Sequence, residues 1–155
     1  MRIPGRLHIT WEGENTLRID TDAGTQTRLF HFDPSVEAPD ENSWQGFSRA
    51  EWTRANGGRE PGSEPAGRLK VVTDHMRMGY LRRNGVPYSD QTVMTEYLFS
   101  FDEPSVAGFP AESWLVLTAF YEDPLYLTRR YMQSTHYKKE PDGAKWNPTP
   151  CSAYE

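Results

Sequence analysis

Hydrophobic and polar residues alternate along eight short stretches of this chain, which is the pattern of β-strands that bury one face. No stretch between them combines the length and the 3.6-residue period of an amphipathic helix. The predicted strands span residues 7–11, 16–21, 25–32, 43–52, 68–76, 92–101, 113–122 and 127–138.

Turn-forming residues separate these strands. Gly13 and Asn15 lie between the first two strands, and Gly24 lies between the second and third, so both connections read as tight hairpins. Longer spacers at 33–42 and 53–67 are rich in Pro, Gly and acidic residues and predict loops. Residues 77–91 contain two glycines and a proline, which predicts a turn or a folded-in loop.

Strands in this order predict a single all-β domain over residues 1–155, folded as an antiparallel up-and-down barrel of about eight strands. An interior of that size holds side chains or one small ligand. The alternative is an open antiparallel sheet with a short helix at 50–56. The irregular tail at 140–155 is expected across one barrel mouth, with a turn at 142–146 and Trp146 against the wall, or as a lid.

Composition narrows the function classes. The chain is 36% hydrophobic and 13% aromatic, so rings with polar tips supply much of its apolar surface and suit a wet cavity. A net charge of −5 argues against nucleic acid as a partner, and the apolar runs are too short to span a bilayer. Cys151 is the only cysteine, so an intrachain disulfide is excluded.

The N-terminal residues have no apolar segment of the kind found in a secretory leader. The chain as numbered is therefore expected in the cytoplasm, or in the periplasm or medium if a leader was trimmed. A homodimer is one possible assembly.

Two histidines and a carboxylate on different strands are the first candidates for chemistry. His75, Glu96 and His136 would form a transition-metal face if they converged inside a barrel, although their spacing matches no ligand motif. Without metal, a histidine beside Glu96 is an acid–base pair, and Tyr97 or Tyr121 would polarise a carbonyl oxygen. The structural alternative is that each of these side chains only packs or pairs. We expect no bound metal and no cofactor.

Three arginines near the fifth strand, Arg77, Arg82 and Arg83, would select a carboxylate or phosphate group at a barrel mouth. The alternative is that they pair with nearby acidic residues, namely Asp74, Asp90 and Glu96. The remaining residues expected to line a ligand cavity are aromatic: Trp44, Tyr80, Tyr88, Phe99 and Tyr131.

Several motifs are specific enough to indicate kinship. Residues 79–89 (GYLRRNGVPYS), 123–128 (DPLYLT) and 134–143 (STHYKKEPDG) resemble a group of uncharacterised bacterial proteins, many of them exported. That resemblance covers most of the chain but implies no activity. A looser similarity of shape relates the predicted barrel to the calycins, which include the lipocalins, and fold-level analogy does not establish function.

The sequence therefore predicts a barrel that binds a small, partly apolar organic ligand with an acidic or carbonyl group. The alternative is a cofactor-independent lyase or isomerase that uses the same cavity, with His75 or His136 as the base. A third possibility is an interaction module whose interior is filled by its own side chains.

Overall fold

The computed structural model describes residues 5–54, 67–82 and 85–150. The described residues form strands and no helix, so the all-β prediction is confirmed. The strands are β1 (Leu7–Trp11), β2 (Thr16–Thr21), β3 (Gln26–His31), β4 (Phe47–Arg54), β5 (Gly67–Asp74), β6 (Gly79–Arg82), β7 (Val86–Tyr88), β8 (Val93–Glu103), β9 (Glu112–Glu122) and β10 (Tyr131–Lys138).

Eight of these strands form one strongly curled sheet in the order β1-β2-β3-β4-β5-β8-β9-β10. The hairpins at its start form as predicted, because Gly13 and Gly24 take the positive φ values of 74° and 80° that tight turns require. Alternation then places every second residue on the inner, concave face.

Two features of the predicted barrel are wrong. The sheet is a half-barrel and is not closed, since β1 and β10 do not pair. It is also not wholly antiparallel, because Phe30 and His31 of β3 run parallel to Ser48 and Arg49 of β4. The segment between these two strands is long enough to return the chain to the starting end, as a parallel connection requires.

The segment 77–91, predicted as a turn or a folded-in loop, contains two short strands. Strands β6 and β7 pair as a separate two-stranded sheet across Gly85, whose φ is 88°. The helix considered at 50–56 is wrong as far as Arg54, because these residues continue β4, and residues 55 and 56 lie outside the described part. Strand β4 begins at Phe47 rather than at residue 43, directly after Gly46 with its φ of 67°.

The core lies on the inner face in two clusters. One is apolar and contains Leu17, Ile19, Phe30, Ala50, Leu69, Val71 and Leu98. The other contains Met76, Leu81, Met94, Ala119 and Tyr121 and brings the β6–β7 hairpin against β8 and β9.

The C-terminal tail leads from β10 back to the turn between β2 and β3. Thr149 forms a bridge with Ala23, and its N–H donates to the backbone oxygen of Asp22. The predicted turn is present, since the Trp146 N–H donates to the Gly143 oxygen, and the Trp146 ring lies 5.8 Å from that of His8 on β1.

Candidate functional site

A buried ion pair crosses the inner face between the two core clusters. The guanidinium of Arg28 on β3 donates two hydrogen bonds to the Glu96 carboxylate on β8, with N···O distances of 2.6 and 3.0 Å. It also donates to the hydroxyls of Ser48 and Thr73 at 3.3 and 3.0 Å. The register explains this meeting, because Ser48 pairs with Thr73 and Glu96 pairs with Val71, all inward-facing positions.

The two charges are almost completely removed from water, with Arg28 4% exposed and Glu96 1% exposed. Burial alone would raise the pKa of Glu96, but the charge and hydrogen bonds of Arg28 outweigh it and hold that pKa below its usual value. The Arg28 Nε has no hydrogen-bond partner among the described residues, and the guanidinium carbon lies 4.8 Å from the centre of the Phe30 ring.

Tyr121 lies next to this pair, and Tyr88 and Tyr131 lie next to Tyr121; the three are called the tyrosine cluster here. Burial, and secondarily the nearby Glu96 carboxylate, raises the pKa of the Tyr121 phenol strongly. Burial also raises the pKa of Tyr88. The rings of Tyr121 and Tyr131 are 6.0 Å apart. The raised pKa values keep Tyr88 and Tyr121 protonated, so both act as neutral hydrogen-bonding groups.

Arg82 on β6 lies at the exposed end of the tyrosine cluster. Its Nε donates to the Tyr131 hydroxyl, and its guanidinium carbon is 5.5 Å from the centre of that ring. No described carboxylate forms an ion pair with Arg82. Glu96, one of the acidic partners predicted for the arginines, pairs with Arg28 instead. The N–H groups of Arg82 other than Nε–H are therefore available to a ligand.

The predicted triad of His75, Glu96 and His136 does not assemble. His136 is exposed on the outer face of β10, opposite Val116, whereas Glu96 lies on the inner face opposite Ala119. The two side chains are on opposite sides of the sheet because their strand positions differ in parity. Among the described residues no group of three His, Cys, Asp or Glu side chains is placed to hold a metal ion.

His75 has a carboxylate partner, but it is Asp74 and not Glu96. The His75 Nδ1 lies 2.7 Å from the Asp74 Oδ1, and the other Asp74 oxygen is 3.4 Å from Arg49. The backbone of His75 has a φ of 53°, a left-handed conformation that non-glycine residues seldom adopt. This turn ends β5 at Asp74. His75 therefore does not continue the row formed by Leu69, Val71 and Thr73, although the sequence predicted that it would.

The other predicted residues are divided between the two sides of the sheet. Tyr97 and Phe99 alternate with Glu96 and therefore lie on the outer face, where Phe99 stacks on Phe101 at 6.1 Å. Neither side chain therefore lies on the inner face with Glu96. Trp44 and Tyr80 are mostly exposed, at 64% and 73%.

The remaining two predicted arginines have different outcomes. Arg77 donates from Nε to the Asn42 oxygen at 2.9 Å, and its guanidinium carbon is 6.0 Å from the Trp44 ring. Arg83 lies outside the described residues. The arginines that follow β5 therefore do not form one cluster in the described part of the chain.

Arg28, Ser48 and Thr73 were missed by the sequence reading. Arg28 falls in the alternation of β3 at an inward position, two residues before the fully buried Phe30. The signal that could have identified Arg28 was its charge at a position where alternation predicts a buried apolar residue. A buried charge needs a partner, so this position implies an ion pair.

A separate groove of about 480 Å³ opens on the surface beside Asp123 and Leu127, with Gln91, Arg129 and Arg130 on its walls. Asp123 is buried and accepts hydrogen bonds from the Ser89 N–H, the Thr92 hydroxyl and the N–H groups of Leu125 and Tyr126. Burial opposes ionisation of Asp123, but these donors outweigh it and lower its pKa far below the usual range. This carboxylate holds the end of β9 to the start of β8.

No protein-family model, curated protein or solved structure matches this chain. The resemblance to the bacterial group therefore stays a prediction. Within the described segments, no helix has the length and apolarity to cross a membrane.

Proposed function

We propose that this protein binds a small organic acid between Arg82 and the tyrosine cluster, as a calycin-like container that is open along one side. The observation that carries the proposal is Arg82, an exposed guanidinium that Tyr131 holds in place and that no described carboxylate neutralises. A carboxylate ligand would complete its hydrogen bonding with a planar, charge-assisted contact.

The surroundings of Arg82 fit the rest of such a ligand. The next residue inward, Leu81, is 8% exposed and packs with Met76, Met94 and Tyr121 in the second core cluster. An apolar body would contact the partly buried Val86 and Tyr88 that pack against this cluster, while the hydroxyls of Tyr88 and Tyr131 would donate to a carboxylate or carbonyl oxygen. Pockets that combine an apolar wall with a few convergent polar groups are typical ligand sites.

The experiment compares a carboxylate with its uncharged analogue. We would titrate 4-phenylbutyrate and 4-phenylbutanamide into each protein and measure the dissociation constants by isothermal titration calorimetry. The acid is expected to bind more tightly than the amide, and Arg82→Gln should weaken binding of the acid by about tenfold while leaving the amide unchanged.

The matched control is Arg68→Gln. Arg68 is also exposed and also lies over an aromatic ring, 5.9 Å from the centre of Phe99, but Phe99 is on the outer face. The proposal fails if acid and amide bind equally, or if Arg68→Gln and Arg82→Gln weaken binding of the acid to the same extent.

One observation favours a second candidate, proton transfer in a lyase or isomerase. Asp74 orients the His75 ring through Nδ1, which is the arrangement that fixes a histidine base in many enzymes. Native mass spectrometry would identify a co-purified acid, and its C–H exchange with D₂O would be followed by NMR. Loss of exchange in His75→Gln, with affinity retained, would support catalysis, whereas no exchange with the unmodified protein would exclude it.

A further inference from the structure

Strand β1 is one edge of the half-barrel. Its backbone pairs with β2 from Leu7 to Trp11, and no described residue forms a backbone hydrogen bond with its other side. In an antiparallel ladder, about half of an edge strand's N–H and C=O groups point away from the sheet. A second strand added there would satisfy them.

This edge lacks the features that usually protect an unpaired strand. β1 contains no Asp, Glu, Lys, Arg or Pro, although edge strands usually carry charge or proline to block pairing. Charged residues instead occupy the outer face of central strands, as at Arg49 and Glu51 of β4 and Lys70 of β5. The charge distribution therefore leaves the β1 edge open.

Apolar side chains are exposed along the same edge. Ile9 is 41% exposed and Trp11 is 54% exposed, although both lie on the inner face with the core. Trp11 begins a row of three aromatic rings. The ring centres of Trp11 and Phe32 are 5.4 Å apart, and those of Phe32 and Trp52 are 5.8 Å apart. A neighbouring strand would cover Ile9 and Trp11 and remove apolar area from water.

A two-fold axis through Ile9 gives a register in which the flanking charges match. Ile9 then faces Ile9 of the second copy, Leu7 faces Trp11, and Arg6 faces Glu12 twice. Opposite charges across a strand pair stabilise it, and like charges destabilise it.

The other edge, β10, is less suited to self-pairing. Arginines at 129 and 130 precede it, and lysines at 138 and 139 end it. An antiparallel pairing of two β10 strands brings these like charges towards each other. We propose that β1 is a homodimer interface, in which two copies join their edges antiparallel about an axis through Ile9.

The first test is the mass in solution. Light scattering after size exclusion, over a dilution series from submillimolar to low micromolar protein, should show a monomer–dimer equilibrium. Ile9→Lys places two like charges opposite each other and should raise the dissociation constant at least about tenfold. The control is Met132→Lys, which puts the same charge on an exposed apolar residue of β10 and should leave the dimer intact.

A second test reads the register. In a Cys151→Ser background, Ile9→Cys should form an intermolecular disulfide under mild oxidation, because directly opposed residues lie within disulfide range. Thr10→Cys should cross-link poorly, since Thr10 faces His8 of the other copy. Circular dichroism would verify that each variant folds.

Three results would overturn the proposal. One is a monomer at every concentration with no Ile9→Cys cross-link. Another is dissociation by Met132→Lys with no effect of Ile9→Lys, which would place the interface on β10. The third is open-ended growth instead of a dimer, which would indicate pairing of β1 with β10 of the next copy.

Discussion

Replacing Glu96 by leucine should destabilise the protein strongly, because it leaves the Arg28 guanidinium buried without a counter-charge. Arg28 is 4% exposed, and after the change only the Ser48 and Thr73 hydroxyls would accept its hydrogen bonds. Removal of one partner from a buried ion pair costs about 3–5 kcal/mol. Since domains of this size are stable by about 5–15 kcal/mol, a large share of the free energy of unfolding would be lost.

The opposite replacement, Arg28→Met, is expected to cost less. A buried carboxylate can take up a proton and become neutral, whereas a guanidinium cannot lose its proton at any pH that the fold survives. The remaining Glu96 would then have a raised pKa, and the stability of this variant would fall as pH rises through that pKa. The double variant Arg28→Met/Glu96→Leu should recover most of the loss, because it removes both charges.

The assay is urea denaturation of the four proteins at neutral pH, read as a double-mutant cycle. We expect a coupling free energy on the order of 3 kcal/mol. The exposed pair between Arg130 and Glu122, 2.6 Å apart, is the control, and its coupling should be below about 1 kcal/mol. The reasoning is refuted if Glu96→Leu costs less than about 1 kcal/mol. It is also refuted if the stability losses of the two single variants simply add in the double variant.

Two further predictions concern acid and backbone geometry. The pKa values of Glu96, Asp22 and Asp123 are lowered in the fold, so their contribution to stability is present above the unfolded values and lost as pH falls through the folded ones. Thermal melts should therefore show a falling Tm below about pH 4, and a Tm that stays constant there would contradict this. Gly46→Ala should lower the free energy of unfolding by at least about 2 kcal/mol, because φ is 67° and a Cβ would lie 2.4 Å from the Asp74 carbonyl oxygen. The control is Gly13→Ala, where φ is 74° but no atom lies near the added Cβ, so that its cost measures backbone strain without a steric clash. A neutral effect of Gly46→Ala in urea denaturation would contradict the prediction.

The local alternation of hydrophobic and polar residues was sufficient to predict most strands, but it could not predict whether the sheet closes into a barrel. The bounds of β1 and β2 follow from alternation between glycine turns, and those predictions agree with the structure to the residue. Whether the sheet closes depends on twist, stagger and the direction of each long connection, and these are properties of the whole sheet. The parallel entry of β4 therefore could not be read from the residues of β3 and β4 alone.

The candidate site was predictable only in part for a similar reason. Glu96 was identified as a carboxylate that could meet His75 or His136 inside a barrel, but its partner is Arg28, 68 residues away in sequence. The histidines were suitable partners by chemistry, but the strand parity of His136 and the turn at His75 place both away from Glu96. Residue type thus marked Glu96 as a candidate for pairing, and only the register identifies Arg28 as its partner.

The position of the ion pair also bears on the proposed ligand site. Tyr121 lies between the Glu96 carboxylate and Tyr131, which in turn holds Arg82. An acid bound at Arg82 would therefore add a second negative charge near Tyr121, whose ionisation Glu96 already opposes. Binding should favour the protonated phenols still further, so tyrosine ionisation followed by ultraviolet absorbance should shift to higher pH when ligand binds. No shift would place the ligand away from the tyrosine cluster.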